Sequence, residues 1–148
     1  MSCKIIYGID PGSSSGAWGA IGEDGSFVGC GDLPVLDGRI LAIDLYKLLR
    51  DPAKIAIEDV WVRPGQGIAS SGKFMRAAGS IEAVAALTGA SVSMVRPQVW
   101  KKHHGLIGTD KSASLELARG LWPEAPLKLV KHHGRADALL MALWLLQR

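Results

Sequence analysis

The sequence predicts an α/β fold in which a mixed five-stranded sheet is flanked by helices. Three short runs rich in β-branched and aromatic residues come first, before any helical periodicity, and they predict three sequential antiparallel strands. Beyond them the apolar period alternates between helix and strand, in the order α-β-α-β-α-α. Two further strands are therefore expected to join the sheet through helical crossovers.

Each strand is predicted from a local signal. The first, KIIYGID, is stopped by Pro11 and Gly12, and Asp24-Gly25 is a favoured pair for the tight turn between the second and third. The fourth strand is KIAIEDV and the fifth is SVSMV. The predicted strands are 4–10, 17–21, 27–33, 54–60 and 91–95.

The helices are predicted from apolar residues at helical spacing. The first starts near Asp37 or Gly38, Gly89 closes the second, and Asp110 caps the fourth. Residues 63–72, RPGQGIASSG, lack periodicity and predict an exposed, mobile loop. The predicted helices are 40–50, 74–87, 98–103, 111–121 and 134–147.

Composition limits the class of protein. With 148 residues, 48% of them hydrophobic, the chain is expected to form one domain, 1–148, with a real core. Its two cysteines, Cys3 and Cys30, form no CxxC motif and favour a reduced, cytoplasmic setting. The start MSCKIIYGID does not resemble a signal peptide, and the apolar run 138–146 is too short to span a membrane.

The charge is unevenly distributed. The chain has a formal net charge of +3, but residues 96–135 hold eight basic and three acidic residues, which leaves −2 for the remainder. All four histidines lie in the same stretch. This segregation predicts a half of the molecule that faces nucleic acid.

Three acidic residues stand at the edges of apolar segments. Asp10 ends the first strand, Glu58 follows the apolar part of the fourth, and Asp137 interrupts an apolar helix. Each alone is explained equally by a helix cap or an ion pair. If strands one and four are neighbours, however, the three carboxylates can meet at one point, where they need a counter-ion.

Oxygen-only ligands favour Mg²⁺, with Mn²⁺ as a substitute. Two such ions about 4 Å apart would clamp the attacking and leaving oxygens of a phosphodiester cleavage. His133 precedes Asp137 by four residues and is either a further ligand, a base for the attacking water, or a surface histidine. Zinc is disfavoured because adjacent histidines diverge on a helix and no cysteine supports them.

The motifs IDPGSSSGAWG, AIEDV, GSIEAV, RPQVWKK and GRADALLMA, in this order, resemble the RuvC family of Holliday-junction resolvases, especially its phage and prophage type. The resemblance runs from Tyr7 to Ala142. It implies an RNase H-like fold and a homodimeric, Mg²⁺-dependent endonuclease that cuts four-way DNA junctions symmetrically. It implies no small-molecule cofactor and no membrane partner.

The resemblance also assigns roles by position. Asp10, Glu58 and Asp137 match the acids of the family's metal cluster. Many members have an acid or a histidine three residues before the last of these, where this chain has Gly134. His133 is one residue further away, so its assignment as the fourth catalytic group is a hypothesis.

Basic residues near the matched motifs are candidate phosphate contacts, although each one alone is equally an ordinary solvated side chain. They are Arg63, Lys73, Arg76, Lys101 and Lys102. Trp61 either stacks on unpaired bases at a junction centre or packs in the core.

The leading prediction is therefore a structure-selective DNA endonuclease. Three alternatives remain open at this stage. The first is an RNase H-like nuclease acting on structured RNA or other branched DNA, and the second is a junction-binding module that does not cut. The third is an actin-like ATPase, which IDPGSSSG also resembles, but that class needs a second half that 148 residues cannot supply.

Overall fold

The computed structural model describes residues 3–12 and 14–148. Met1, Ser2 and Ser13 lie outside the described residues. Ser13 belongs to the motif IDPGSSSGAWG. The strands are β1 Ile5–Asp10, β2 Ala17–Gly22, β3 Phe27–Asp32, β4 Val35–Leu36, β5 Arg39–Ile40, β6 Pro52–Glu58 and β7 Ser91–Val95. The helices are α1 Ala42–Leu48, α2 Ile68–Leu87, α3 Pro97–His103, α4 Lys111–Leu121 and α5 His133–Gln147, the last preceded by a 3₁₀ turn over Val130–His132.

The predicted sheet is confirmed: it has five strands in the order β3-β2-β1-β6-β7. β1 pairs antiparallel with β2, and β2 with β3. β6 joins β1 in parallel through α1, and β7 joins β6 in parallel through α2. Strands one and four of the prediction are thus neighbours, as the acid cluster requires.

Two hydrophobic cores cover the two faces of the sheet. Side chains along β1 alternate between them: Ile6 faces the core beneath α3, α4 and α5, whereas Tyr7 and Ile9 face the core beneath α1 and α2. This alternation follows from the two-residue period of a strand buried on both faces. The same alternation determines which face of the sheet each side chain at the carboxyl edge points toward.

Two predicted boundaries are wrong. The segment predicted as the start of the first helix instead forms the small β4–β5 hairpin, and α1 begins only at Ala42. Asp37 and Gly38 supply the hairpin's turn with φ of 51° and 74°, so they act as turn residues rather than as a helix start. Helical periodicity cannot distinguish these cases, because a short hairpin of alternating side chains uses the same apolar residues.

The predicted loop 63–72 is also shorter than expected. α2 starts at Ile68, so only the first half of this segment is irregular. Helix propagation adds one hydrogen bond for each residue fixed, and the small residues Ala69, Ser70 and Ser71 do not oppose it. Ser71 N–H donates to the Gly67 carbonyl at 2.9 Å, which closes the first turn.

The remaining termini agree closely with the sequence. Asp110 caps α4, accepting a hydrogen bond from the Ser112 N–H at 3.0 Å, and Gly89 follows α2 with φ of 80°. Among the described residues, no helix is both long and apolar enough to cross a membrane.

Candidate active site

Asp10 and Glu58 lie side by side at the carboxyl edge of the sheet. They are the last residues of the parallel neighbours β1 and β6, whose register pairs Ile9 with Ile57 immediately before them. Both carboxylates are partly buried. The carboxyl ends of parallel strands in an open α/β sheet commonly form a ligand site.

Asp137 reaches the same edge because α5 packs closely on the sheet. Gly8 and Gly19 are paired across β1 and β2, and a Cβ at Gly19 would lie 2.6 Å from the Leu139 nitrogen. Only glycine permits that approach. At the start of α5, a Cβ at Gly134 would lie 3.3 Å from Asp10 Oδ2, so the first turn of the helix faces the Asp10 carboxylate.

The three acids share one electrostatic environment. Burial, followed by the charges of Glu58 and Asp137, raises the pKa of Asp10 well above its usual range. Burial also raises the pKa of Glu58, with a further contribution from Asp137, and raises the pKa of Asp137 to about 6. Like charges and desolvation both disfavour the ionised forms, so the cluster attracts a cation.

A buried donor holds Glu58. The indole Nε1 of Trp100 donates to Glu58 Oε2 at 2.8 Å, and Trp100 is fully buried. Near Asp137, the buried Ser114 lines the same small pocket. The Ser114 hydroxyl donates to the Lys111 carbonyl at 3.2 Å and lowers the pKa of Asp137 against the effect of burial.

Two lysines supply positive charge. Lys101 on α3 and Lys111 at the start of α4 both lower the pKa values of Asp10 and Asp137 against the effect of burial. The sequence does not predict Lys111 as a site residue, because only the packing of α4 against α5 brings it here. It predicts Lys101 as a phosphate contact.

The acids line two pockets. Asp10 and Glu58 line a cleft of about 540 Å³ together with Trp61, Arg63 and other residues of the loop after β6. Asp137 lines a smaller pocket of about 70 Å³, whose other residues are Lys101, Leu106, Thr109, Asp110, Lys111 and Ser114. The site is therefore an acidic centre with a basic and aromatic border.

The predicted basic residues lie at different places around this acidic centre. Arg63 lines the cleft, and its charge lowers the pKa of Glu58 against the effect of burial. Lys73 lines a neighbouring pocket, which shares Gln66 and Phe74 with the cleft. Arg76 on α2 and Lys102 on α3 are exposed. Neither of them is among the charges that shift the three acids.

Trp61 is 73% exposed at the cleft. The core-packing alternative for this residue is therefore wrong. Exposing an indole to water forgoes the stabilisation that its burial would give. Its position in the cleft of Asp10 and Glu58 is suited to stacking against a planar ligand.

His133 is the first residue of α5 and is partly exposed. Burial and the nearby charge of Lys111 lower its pKa. It is not among the groups that shift the three acids. Its catalytic role stays a prediction.

Divalent cations fit the chemistry of the donor set. In residues 3–12 and 14–148, no three His, Cys, Asp or Glu side chains already form a metal-binding cluster. The three acids nevertheless offer only hard oxygen ligands, and their mutual repulsion is the kind that a bound cation relieves. Asp10, Glu58 and Asp137 are therefore suitable ligands for Mg²⁺ or Mn²⁺.

Relatives with assigned activities match most of this chain. No protein-family model matches it. The crossover junction endodeoxyribonuclease RuvC of a Bradyrhizobium species is 36% identical over 152 residues, covering 93% of this chain and 83% of the relative. The enzyme of the same name from Nitratidesulfovibrio vulgaris is 35% identical over 118 residues, covering 72% of this chain and 69% of the relative.

The fold is similar to that of a solved RuvC. The structure of Thermus thermophilus RuvC in complex with a Holliday junction substrate superposes with a TM-score of 0.72 at 20% identity, covering 95% of this chain and 90% of that one. This likeness confirms the predicted RNase H-like architecture. Together with the curated relatives, it establishes that the chain belongs to the RuvC family of crossover junction endodeoxyribonucleases.

Proposed function

We propose that this protein is a structure-selective, metal-dependent DNA endonuclease that resolves four-way junctions by paired, symmetric phosphodiester cleavage. The observation that carries the proposal is the placement of Asp10 and Glu58 at the carboxyl ends of the paired strands β1 and β6, with the start of α5, the helix of Asp137, facing Asp10. The names of the curated relatives support the substrate.

In this proposal, Asp10, Glu58 and Asp137 would hold two Mg²⁺ ions, which Mn²⁺ could replace. Such ions would supply a water of lowered pKa and neutralise charge at the scissile phosphate. Lys101 and Lys111 add positive charge beside the same phosphate, which stabilises the transition state further. His133 is proposed as the group that orients or deprotonates the attacking water.

The DNA backbone is bound by the border of the site. Arg63 contacts phosphates nearest the cleft, and Lys73, Arg76, Lys101 and Lys102 extend the basic surface outward. Such contacts set affinity without reading base sequence. Trp61 stacks on a base that is unpaired at the junction centre.

Symmetric cleavage of two opposed strands requires two such sites related by a twofold axis. We therefore propose a C2 homodimer with one RNase H-like unit, 1–148, in each subunit. The proposal includes no small-molecule cofactor, a cytoplasmic location and membership of the phage or prophage branch of the family.

The test is cleavage of a labelled four-way junction by the full chain with Mg²⁺, Mn²⁺ or EDTA, beside a linear duplex of the same sequence and a structured RNA. We expect paired nicks in the junction with either metal and none in EDTA. The Asp10→Asn variant should bind the junction but not cut it. Undiminished cleavage in EDTA would contradict the metal mechanism.

The same experiment separates the alternatives. Preferred cleavage of the RNA would assign the chain to RNA processing instead. Junction binding without cleavage in any divalent metal would make it a binding module.

A further inference from the structure

Trp100, which precedes Lys101 on α3, contacts both the hydrophobic core and the acid cluster. Its side chain is completely buried in the core that also contains Leu140 and other side chains of α5. The only polar atom of the side chain, Nε1, lies at the border of that core and donates to Glu58 Oε2 at 2.8 Å. A buried donor needs an acceptor, and here the acceptor is a carboxylate of the acid cluster.

The helix that carries Trp100 is anchored on the helix that carries Asp137. The imidazole Nε2 of His104 donates to the Leu140 carbonyl at 2.7 Å, and His103 Nε2 hydrogen-bonds to Gln147 Oε1 at 2.8 Å. These contacts fix α3 against the second half of α5. The Trp100 indole is therefore held both by the core around it and by the anchoring of its helix on α5.

Lys101 is tied to the same indole. Its Nζ lies 5.5 Å from the centroid of the Trp100 ring, within the range of a cation–π interaction. The charge of Lys101 acts on Asp10, Glu58 and Asp137. One residue thus restrains both an acid and a cation of the site.

We propose that Trp100 is a positioning residue of the cleavage site: its N–H fixes Glu58 through Oε2, and its ring restrains Lys101. This inference rests on the proposed function. The hydrogen bond makes the two oxygens of Glu58 inequivalent and leaves Oε1 for a metal. Because the donor is neutral, it orients the carboxylate without competing for it as a second cation would. Groups that orient metal ligands in this way affect metal affinity strongly.

The chain contains a matched control for this contact. Trp122 is also buried, at 4% exposure, and its Nε1 donates to the Gly25 carbonyl at 3.0 Å, away from the acids. Trp100→Phe and Trp122→Phe each remove one buried indole donor and keep an aromatic ring. Any difference between them reports what Trp100 does for the site rather than what a tryptophan does for the fold.

The first measurement is Mg²⁺ affinity without DNA, by calorimetric titration. We expect Trp100→Phe to weaken Mg²⁺ binding about 10–100-fold and Trp122→Phe to leave it unchanged. In junction cleavage at saturating DNA, Trp100→Phe should lower kcat while the junction Kd stays within about twofold, since phosphate contacts set that affinity.

The second measurement follows the indole N–H groups directly. We expect the five tryptophans to give separate indole N–H signals in an ¹H–¹⁵N spectrum, in which the two variants assign those of Trp100 and Trp122. We expect the Trp100 signal to move on Mg²⁺ addition and in Glu58→Gln, and the Trp122 signal to stay. If Trp100→Phe fails to fold, Glu58→Gln and the position of the five wild-type signals during the Mg²⁺ titration still decide the question.

Equal Mg²⁺ affinities for the two variants, or no indole signal that responds to both Mg²⁺ and Glu58→Gln, would overturn the inference. Failure of the proposed function looks different. In that case the wild type would not cut junctions, although the Trp100 signal and the Mg²⁺ affinity would respond as described.

Discussion

Gly8 of β1 lies directly against the Ala138 carbonyl of α5, where a Cβ would overlap the carbonyl oxygen and come within 2.9 Å of the Ala142 nitrogen. This contact sets the distance between the helix and the sheet. Since Asp137 precedes Ala138 on that helix, the same contact helps to set where its carboxylate lies relative to Asp10.

Gly8→Ala is therefore expected to destabilise the fold by about 3 kcal/mol or more, because neither backbone can retreat without disturbing both cores. Gly120→Ala is the control. Gly120 is an exposed position of α4 with open space around it, so alanine there should stabilise the fold by about 0.5–1 kcal/mol. Urea unfolding measures the free energy of unfolding of both variants. An unchanged value for Gly8→Ala would show that α5 does not pack closely on β1.

Asp10→Asn should stabilise the metal-free protein at neutral pH. The folded state raises the pKa of Asp10, so ionising it is unfavourable, and this penalty grows as pH rises from its unfolded pKa toward its folded one. In EDTA the melting temperature of the wild type should fall relative to that of Asp10→Asn over this range. Mg²⁺ should raise the melting temperature of the wild type and leave that of the variant unchanged. Equal responses to Mg²⁺ would remove Asp10 from the metal site.

Lys101 and Lys102 are adjacent but should behave differently. Lys101→Gln is expected to lower kcat at saturating junction about tenfold or more, because the lysine acts on all three acids. Lys102→Gln should leave kcat unchanged and reduce the salt dependence of junction affinity by about one unit of slope, as expected for a single phosphate contact. Similar effects of both changes would mean that Lys101 has no special part in cleavage.

Trp61→Ala should leave the free energy of unfolding within about 0.5 kcal/mol, because the indole is 73% exposed. It should weaken junction binding by about 1–3 kcal/mol through the loss of base stacking. Trp61→Phe should recover most of that affinity. Unchanged binding by Trp61→Ala would assign this exposed indole another partner.

Tyr7 gives an alkaline limit to stability. Its hydroxyl donates to the carbonyls of Arg50 at 2.8 Å and Leu48 at 3.2 Å, and burial raises its pKa to about 12. The unfolded chain ionises near its ordinary value of 10, so stability should fall as pH rises between those two values. Tyr7→Phe should lose about 1 kcal/mol at neutral pH and show a weaker decline above it. Parallel pH profiles would contradict this assignment.

The sequence was sufficient for the elements whose signals are local. The five strands of the main sheet, the Asp110 cap, the Gly89 terminus and the hairpin at Asp24-Gly25 depend on neighbouring residues, and the sequence predicts all of them. The sequence allowed strands one and four to be neighbours but did not give the sheet order. The structure supplies that order, which places Asp10 beside Glu58.

Tertiary structure decided the contacts between residues that are distant in the chain. Trp100 and Glu58 are separated by 42 positions, and nothing in either segment shows that one donates to the other. Lys111 and Ser114 reach Asp137 only because α4 packs on α5, and the exposure of Trp61 depends on the path of its loop. Local patterns fix backbone preference and burial period, whereas side-chain partners are fixed by how the layers pack, which no local pattern records.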